Sequence, residues 1–145
     1  MAPNRGNKIS ETVAQFKADL HMPDVFSIRN STVQAYLEPM VHEIKVSRAD
    51  LLGDLKNPDK RNAYLDVGGQ CWYVLGTDAK GRDIGAPDEI PEEFGVMVCR
   101  QDKLEVIRAA QKRTFSQLPF PMWMALVKAT PLKLSDSPPP QQCFE

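Results

Sequence analysis

The segment 40–75, MVHEIKVSRADLLGDLKNPDKRNAYLDVGGQCWYVL, decides the fold of this chain. It contains an apolar strand, a charged helical region and a second apolar strand at residues 70–75. Ser47 is a typical helix N-cap. Asn57-Pro58 ends one helix and begins another, because proline is accepted in the first turn of a helix but not in its interior. We therefore predict the order strand, helix, helix, strand for this segment.

The rest of the chain extends this pattern to a mixed α/β layer fold. Strands are predicted at 23–28, in a β-rich stretch 32–46 that is interrupted near Pro39, and at 95–99 and 103–109, with a last helix at 121–129. At 145 residues the chain suits one domain with a single core. We predict a flexible N-terminus at 1–8, a single domain at 9–130 and a disordered proline-rich tail at 131–145.

Composition narrows the classes of protein that fit. The formal net charge of -1 provides no global basic field, so binding to nucleic acid would rely on a local patch. The three cysteines form no CxxC pair, and Cys71 and Cys99 lie in apolar runs, which indicates buried thiols in a reducing compartment. The N-terminus lacks the apolar region of a signal peptide, and no run reaches transmembrane length. We expect a soluble, cytoplasmic protein with no membrane partner.

An acid and a base share one face of the first apolar strand. Successive side chains of a strand point to opposite faces, so Glu43 and Lys45 lie on one face and His42 and Ile44 on the other. Asp24 begins the preceding predicted strand, and opposing side chains of antiparallel neighbours lie about 5 Å apart. Asp24 and Glu43 are therefore candidates to hold one Mg²⁺ ion, with Lys45 placed to act on an attacking water or on the transition state.

The same residues resemble a known motif. Pro23-Asp24 followed by Glu43-Ile44-Lys45 is similar to the signature of the PD-(D/E)XK nuclease superfamily. The segments EIKVSRADLLGDLKNPDKRNAYLD and IPEEFGVMV resemble, more narrowly, the MmcB-like DNA-repair proteins of that superfamily. In total the resemblance covers about residues 22–110.

The resemblance implies both a fold and an activity. The expected fold is a restriction-endonuclease-like mixed central sheet flanked by helices. The expected activity is that of a nuclease, a hydrolase that cuts DNA phosphodiester bonds with Mg²⁺ or Mn²⁺ and acts in DNA repair. Asp24, Glu43 and Lys45 fall on the catalytic positions of the family, and Asp24 and Glu43 fall on its metal-binding positions.

The helical region after the motif supplies candidate contacts to DNA. Lysine and arginine neutralise backbone phosphates, and Lys60 and Tyr64, four residues apart, resemble the helix residues of the superfamily that face the site. Glu11 is a candidate upstream acid, because the helix that precedes the motif often supplies one in the superfamily. A solvated helix face is the alternative for each basic residue. The candidate nucleic-acid-binding residues are Arg48, Lys56, Lys60, Arg61 and Tyr64.

Two other functions stay open on the sequence. The first is a catalytically inactive nuclease-fold module that binds nucleic acid or protein, in which Glu43 and Lys45 form only a cross-strand charge pair. The second is a structural subunit, since the apolar segment PFPMWMALVKA at 119–129 suits packing against a second copy in a homodimer. Metal binding and DNA cleavage distinguish the nuclease from both.

Overall fold

The computed structural model of the chain describes residues 23–114 and 117–129. Five strands, three α-helices and two short 3₁₀ helices, Gln34–Tyr36 and Pro87–Glu89, follow one another along this part. The predicted flexible N-terminus at 1–8, the tail at 131–145 and the candidate acid Glu11 lie outside the described residues. The elements are β1 (Val25–Ser27), β2 (Met40–Lys45), α1 (Arg48–Leu55), α2 (Pro58–Val67), β3 (Gln70–Leu75), β4 (Gly95–Arg100), β5 (Lys103–Arg108) and α3 (Phe120–Lys128).

The five strands form one mixed sheet in the order β1-β2-β3-β4-β5. β2, β3 and β4 run parallel to one another, while the edge strands β1 and β5 pair antiparallel with β2 and β4. The parallel pairing of β2 and β3 needs a crossover connection, which α1 and α2 provide. The predicted mixed sheet flanked by helices, an α+β architecture, is confirmed.

The predicted caps explain where α1 and α2 begin. The Ser47 side chain accepts a hydrogen bond from the main-chain N–H of Asp50 at 3.2 Å, and the Asn57 side chain accepts one from the N–H of Lys60 at 3.3 Å. Pro58 occupies the first turn of α2, where its missing N–H leaves no intrahelical bond unmade. The segment therefore forms the predicted order of strand, helix, helix and strand.

The β-rich stretch predicted at 32–46 is a strand only in its second part. β2 begins at Met40, and a short 3₁₀ helix, Gln34–Tyr36, replaces the strand expected before it. The register explains the difference. Ser27 pairs with Met40 at the closed end of the β1–β2 ladder, so residues 28–39 form the connection and have no neighbouring strand in the described part of the chain. Thr and Val favour strands only where a neighbouring strand is present to pack against.

One face of the sheet carries the main core. Val41 of β2 and Tyr73 of β3 are fully buried there, and Leu51 of α1 and Tyr64 of α2 cover them. Met122 of α3 belongs to the same cluster of buried side chains. Glu43 and Lys45 of β2 lie on this helix-covered face together with Val41, because every second side chain of a strand points to the same face.

The opposite face carries an apolar row four strands wide. The register places Ile44 beside Val74, Val74 beside Met97, and Met97 beside Val106. Ile44 is 41% exposed and Val106 is 56% exposed. The described residues therefore cover this face far less than the helix-covered one.

Gly95 allows Trp72 to lie flat on the same face. A Cβ atom at Gly95 would come within 2.3 Å of the Trp72 ring and 2.6 Å of the main-chain nitrogen of Ala110. His42 stacks with Trp72 at a ring-centroid distance of 6.5 Å. His42 thus lies on the face away from Glu43, as the strand alternation predicts, and only glycine fits at position 95.

α3 is apolar on more than one side. Met122 is buried, whereas Phe120 and Val127 are largely exposed.

No helix in the described ranges combines the length and the apolar character that crossing a bilayer requires.

Candidate active site

Glu43 and Lys45 meet inside the protein. Both point from β2 to the helix-covered face, and the Lys45 Nζ atom donates a hydrogen bond to Glu43 Oε1 at 2.8 Å. Glu43 is only 2% exposed and Lys45 only 5%. A buried charge is costly unless it is paired, so the burial of both depends on this contact and on those that α1 and α2 add.

Both helices of the crossover add charged residues to this pair, and the half-exposed Asp50 of α1 lies at the edge, 3.7 Å from Lys45 Nζ. Asp54 of α1 and Lys60 of α2 form an ion pair in which Lys60 Nζ lies 2.8 Å from Asp54 Oδ1 and 2.5 Å from Glu43 Oε1. Lys45 Nζ lies 3.3 Å from the same Asp54 oxygen. Two ammonium groups therefore share the same two carboxylate oxygens in a closed ring of alternating charge.

Two tyrosines occupy the remaining carboxylate oxygens. The Tyr64 hydroxyl donates a hydrogen bond to Glu43 Oε2 at 2.8 Å, and the Tyr73 hydroxyl donates one to Asp54 Oδ2 at 2.5 Å. The ring and the tyrosines together form what we call the charge network. Its members are Glu43, Lys45, Asp54, Lys60, Tyr64 and Tyr73.

The charge network fixes the ionisation of its members. Burial opposes ionisation of the carboxyl groups of Glu43 and Asp54, but hydrogen bonds from the lysines and tyrosines outweigh it and hold both pKa values below their ordinary range. Burial likewise opposes the charge of Lys45 and Lys60, yet the two carboxylates outweigh it and raise both lysine pKa values. At neutral pH the ring therefore holds two negative and two positive charges.

Asp24 contacts the strand between the other two motif residues. Its Oδ2 atom accepts a hydrogen bond from the main-chain N–H of Ile44 at 2.8 Å, and its side chain is exposed. The antiparallel register that places Val25 opposite His42 brings Asp24 level with Glu43. Asp24 therefore contacts the main chain of β2, whereas the Glu43 carboxylate contacts Lys45, Lys60 and Tyr64.

The candidate DNA-binding residues are placed in different ways. Lys60 and Tyr64 face the motif, as the resemblance implies, and contact Glu43 directly. Arg48 forms two hydrogen bonds to the Glu89 carboxylate, at 2.8 and 2.6 Å. Arg61 donates to the main-chain oxygens of Asp54 and Leu55 at the C-terminal end of α1. Lys56 is exposed.

Two members of the charge network were not predicted from the sequence. Asp54 lies on α1, and helical periodicity within α2 gives no information about a side chain on another helix. A signal for Tyr73 does exist. Its hydroxyl belongs to the buried face of an apolar strand, and a buried tyrosine hydroxyl usually needs a hydrogen-bond partner. In the parallel register Tyr73 lies beside Glu43, so its hydroxyl is expected to bond within the same buried charged cluster.

The chemistry of the carboxylates suits a hard cation. Asp24 and Glu43 provide oxygen ligands of the kind that Mg²⁺ and Mn²⁺ accept. An ionised carboxylate offers about four lone-pair positions, and Lys45, Lys60 and Tyr64 use at least three of those on Glu43. The pair therefore fits a divalent cation best when one of these donors has left Glu43. Residues 23–114 and 117–129 contain no group of three or more His, Cys, Asp and Glu side chains arranged to hold a metal ion.

Comparison with known proteins adds little to this geometry. No family model matches the chain, and no curated protein matches it. A solved structure, a protein of unknown function from Silicibacter pomeroyi, is similar with 25% sequence identity and a TM-score of 0.42. The match covers 63% of this chain and 54% of that one, so the chain spans about half the length of that protein.

Proposed function

We propose that the protein is a nuclease of the PD-(D/E)XK type, which uses Mg²⁺ or Mn²⁺ to hydrolyse phosphodiester bonds of DNA in repair. The observation that supports this is the contact of Asp24 with the main chain of β2 between Glu43 and Lys45. Glu43 and Lys45 are 2.8 Å apart on one face, and the Asp24 carboxylate binds the N–H of the residue between them. Acids from two neighbouring strands beside a lysine suit metal-assisted phosphodiester hydrolysis, because the acids can ligate a cation and the lysine can stabilise negative charge.

In this proposal each motif residue has a separate role. Asp24 and Glu43 hold the cation, which when bound polarises a phosphate oxygen and lowers the pKa of a coordinated water. Lys45 stays protonated, because Glu43 and Asp54 raise its pKa against the effect of burial. An ammonium group donates hydrogen bonds and accepts none, so Lys45 stabilises negative charge on the phosphate rather than removing a proton from water.

Two carboxylates hold the Lys45 ammonium group in place. Its Nζ atom has three N–H donors, and hydrogen-bonding distances to Glu43 and Asp54 account for two of them. Asp50 Oδ1 lies 3.7 Å from the same atom, too far for a hydrogen bond, so in this proposal the third donor binds a phosphate oxygen. Because two carboxylates fix the ammonium group, little ordering is required when the substrate binds.

Cleavage of defined DNA molecules tests the proposal. Supercoiled plasmid, linear duplex, single strands and branched duplexes are incubated with purified protein and Mg²⁺ or Mn²⁺, and nicking or cutting of at least one is expected. Asp24→Asn keeps an oxygen that accepts the Ile44 N–H but removes the charge, so it should lose cleavage without losing stability. Lys103→Met, a change at an exposed position of β5, should cut like the wild type.

The result that opposes the proposal is equally definite. If Asp24→Asn and Lys45→Met both cut at the wild-type rate, the cleavage comes from another site or from a contaminating enzyme. Lys45→Met is assayed at a temperature where circular dichroism shows that it is folded, because this substitution also removes a buried ion pair.

A non-catalytic nuclease-fold module is the second candidate function. The observation that favours it is the occupation of Glu43, since both carboxylate oxygens accept hydrogen bonds from protein donors and the side chain is almost fully buried. Such a module would bind DNA or protein with equal affinity in EDTA and in Mg²⁺. Fluorescence anisotropy with labelled DNA at several salt concentrations separates the two, because phosphate contacts make DNA affinity fall steeply with salt.

Our proposal includes the cytoplasm as the site of action and a second copy of the chain as a partner. The exposed Phe120 and Val127 of α3 support the second point, because large apolar side chains on a short helix favour packing against another surface. Light scattering coupled to size exclusion should give the mass of a dimer for the wild type. A Phe120→Glu variant that elutes with the mass of the wild type would remove this part of the proposal.

A further inference from the structure

The two lysines of the charge network differ in their access to solvent. The Lys45 side chain is 6% exposed, whereas that of Lys60 is 23% exposed. Lys60 is near the start of α2, directly after the Asn57-Pro58 boundary, and its ammonium group lies 5.6 Å from the centroid of the Tyr64 ring. Of the two, Lys60 is the more accessible to water.

The Lys60 ammonium group is a direct cationic partner of both buried acids. It lies within hydrogen-bonding distance of two carboxylate oxygens, Glu43 Oε1 at 2.5 Å and Asp54 Oδ1 at 2.8 Å. Glu43 Oε1 also accepts a hydrogen bond from Lys45. Two ammonium groups thus use both lone-pair positions of this oxygen, which leaves none for a metal ion.

We propose that Lys60 is a displaceable counter-ion of Glu43, so that its ammonium group and a divalent cation compete for the same carboxylate. This inference rests on the proposed function, because it takes Asp24 and Glu43 as the metal ligands. Lys60 thereby sets the metal affinity of the site and keeps the buried carboxylate paired while no metal is bound.

The balance of charge supports an exchange of this kind. With Lys60 in place, the three carboxylates of Asp24, Glu43 and Asp54 face two ammonium groups, which leaves one surplus negative charge at the exposed Asp24. When a divalent cation replaces Lys60, the same three carboxylates are matched by one ammonium group and two cationic charges. The exchange therefore makes the same set of groups neutral, and burial favours neutral groupings over charged ones.

Asp54 also keeps partners when Lys60 leaves. Its Oδ2 atom accepts the hydrogen bond of Tyr73, and its Oδ1 atom lies 3.3 Å from Lys45. The exchange therefore leaves no buried carboxylate without a donor. Lys45, with its ammonium group fixed to both acids, is the member that stays.

Titration with Mn²⁺ alone tests the competition. Isothermal titration calorimetry is carried out on the wild type and on Lys60→Met, Lys60→Arg, Lys103→Met and Asp24→Asn. Loss of the competing ammonium group should tighten Mn²⁺ binding in Lys60→Met by about tenfold or more, because a charge-assisted hydrogen bond no longer has to be broken. Lys103→Met removes a charge elsewhere and should bind like the wild type, and Lys60→Arg, which keeps a competing cation, should not show the tightening. Asp24→Asn should bind little or no Mn²⁺.

A second measurement uses the wild-type protein, in case Lys60→Met does not fold. Lysine side chains are labelled briefly with an amine-reactive acetyl ester, and the label at each position is read by mass spectrometry. Saturating Mn²⁺ should increase the labelling of Lys60 relative to Lys103, because the released amine enters solvent.

The outcomes separate the inference from the function on which it rests. If Mn²⁺ binds equally to the wild type and Lys60→Met but not to Asp24→Asn, the competition is refuted and the metal site stands. Unchanged labelling of Lys60 at saturating Mn²⁺ refutes the competition in the same way. If neither the wild type nor Lys60→Met binds Mn²⁺, the inference and the metal-dependent function fall together.

Discussion

Replacement of Lys45 by methionine is the sharpest test of the charge network. The substitution keeps an unbranched side chain of similar length, so it removes a charge and its hydrogen bonds without opening a large cavity. It breaks the 2.8 Å contact with Glu43 and the 3.3 Å contact with Asp54. Lys60 still bonds to both acids, and so one ammonium group faces two buried carboxylates.

The expected loss of stability follows from that imbalance. Removal of one partner from a buried ion pair costs about 3–5 kcal/mol, because the other charge stays buried without compensation. Since Lys60 remains, we expect the lower end, about 3 kcal/mol. The free energy of unfolding of single domains is about 5–15 kcal/mol, so the variant should still fold.

Urea denaturation followed by circular dichroism measures the change. With a slope of about 1–3 kcal/mol per molar urea, the midpoint should fall by about 1 M or more at pH 7. The loss should shrink at acid pH, because protonation of Glu43 then removes the unpaired charge. Lys103→Met, with the same change at an exposed position, should stay within about 0.5 kcal/mol of the wild type.

Two results would contradict this account. A loss below about 1 kcal/mol at pH 7 would mean that Lys45 contributes no more than an exposed surface pair does. A loss that does not depend on pH would assign the effect to packing rather than to charge.

Three further outcomes are expected. Wild-type stability in thermal melts should decline below about pH 4.5, where Glu43 gains a proton in the unfolded chain while its lowered pKa keeps it ionised in the folded protein. It should decline again above about pH 10.5, where Lys60 loses its proton in the unfolded chain while its raised pKa retains the proton in the folded protein, with a plateau between the two limits. Tyr73→Phe should lose about 1–3 kcal/mol in urea denaturation, because Asp54 Oδ2 loses its donor, and a loss of zero would show that water replaces the hydroxyl. Gly95→Ala should lose at least about 1–3 kcal/mol and shift the tryptophan emission, because the added methyl group meets the ring of Trp72; unchanged emission would contradict that placement.

The sequence predicts local structure well where short-range chemistry decides it. Ser47 and Asn57 cap helices through hydrogen bonds to residues three positions ahead, so a few neighbouring residues are enough to predict where each helix begins. The two-residue alternation of β2 likewise predicts that Glu43 and Lys45 share a face. Stretch 32–38 was misassigned as a strand, because its propensity is local whereas strand formation there depends on a partner that the β1–β2 register does not provide.

The candidate site was predicted in part for the same reason. Lys60 and Tyr64 follow from helical spacing and from the family resemblance. Asp54 does not, because its contact with Lys60 depends on the angle between α1 and α2, and no periodicity in either helix encodes that angle. The roles of Asp24, Glu43 and Lys45 in metal binding and catalysis stay predictions, and the titration and cleavage experiments decide them.

The shared oxygens of Glu43 and Asp54 also have a consequence for variation at these positions. Each oxygen contacts both lysines, so the effect of any one substitution depends on which other members of the ring are present. A neutral residue in place of one lysine leaves a surplus negative charge, and a neutral residue in place of one acid removes that surplus. Strong epistasis follows: compensated double substitutions are tolerated where either single one is not. A combinatorial library selected for folded protein should therefore return changes at these four positions in pairs.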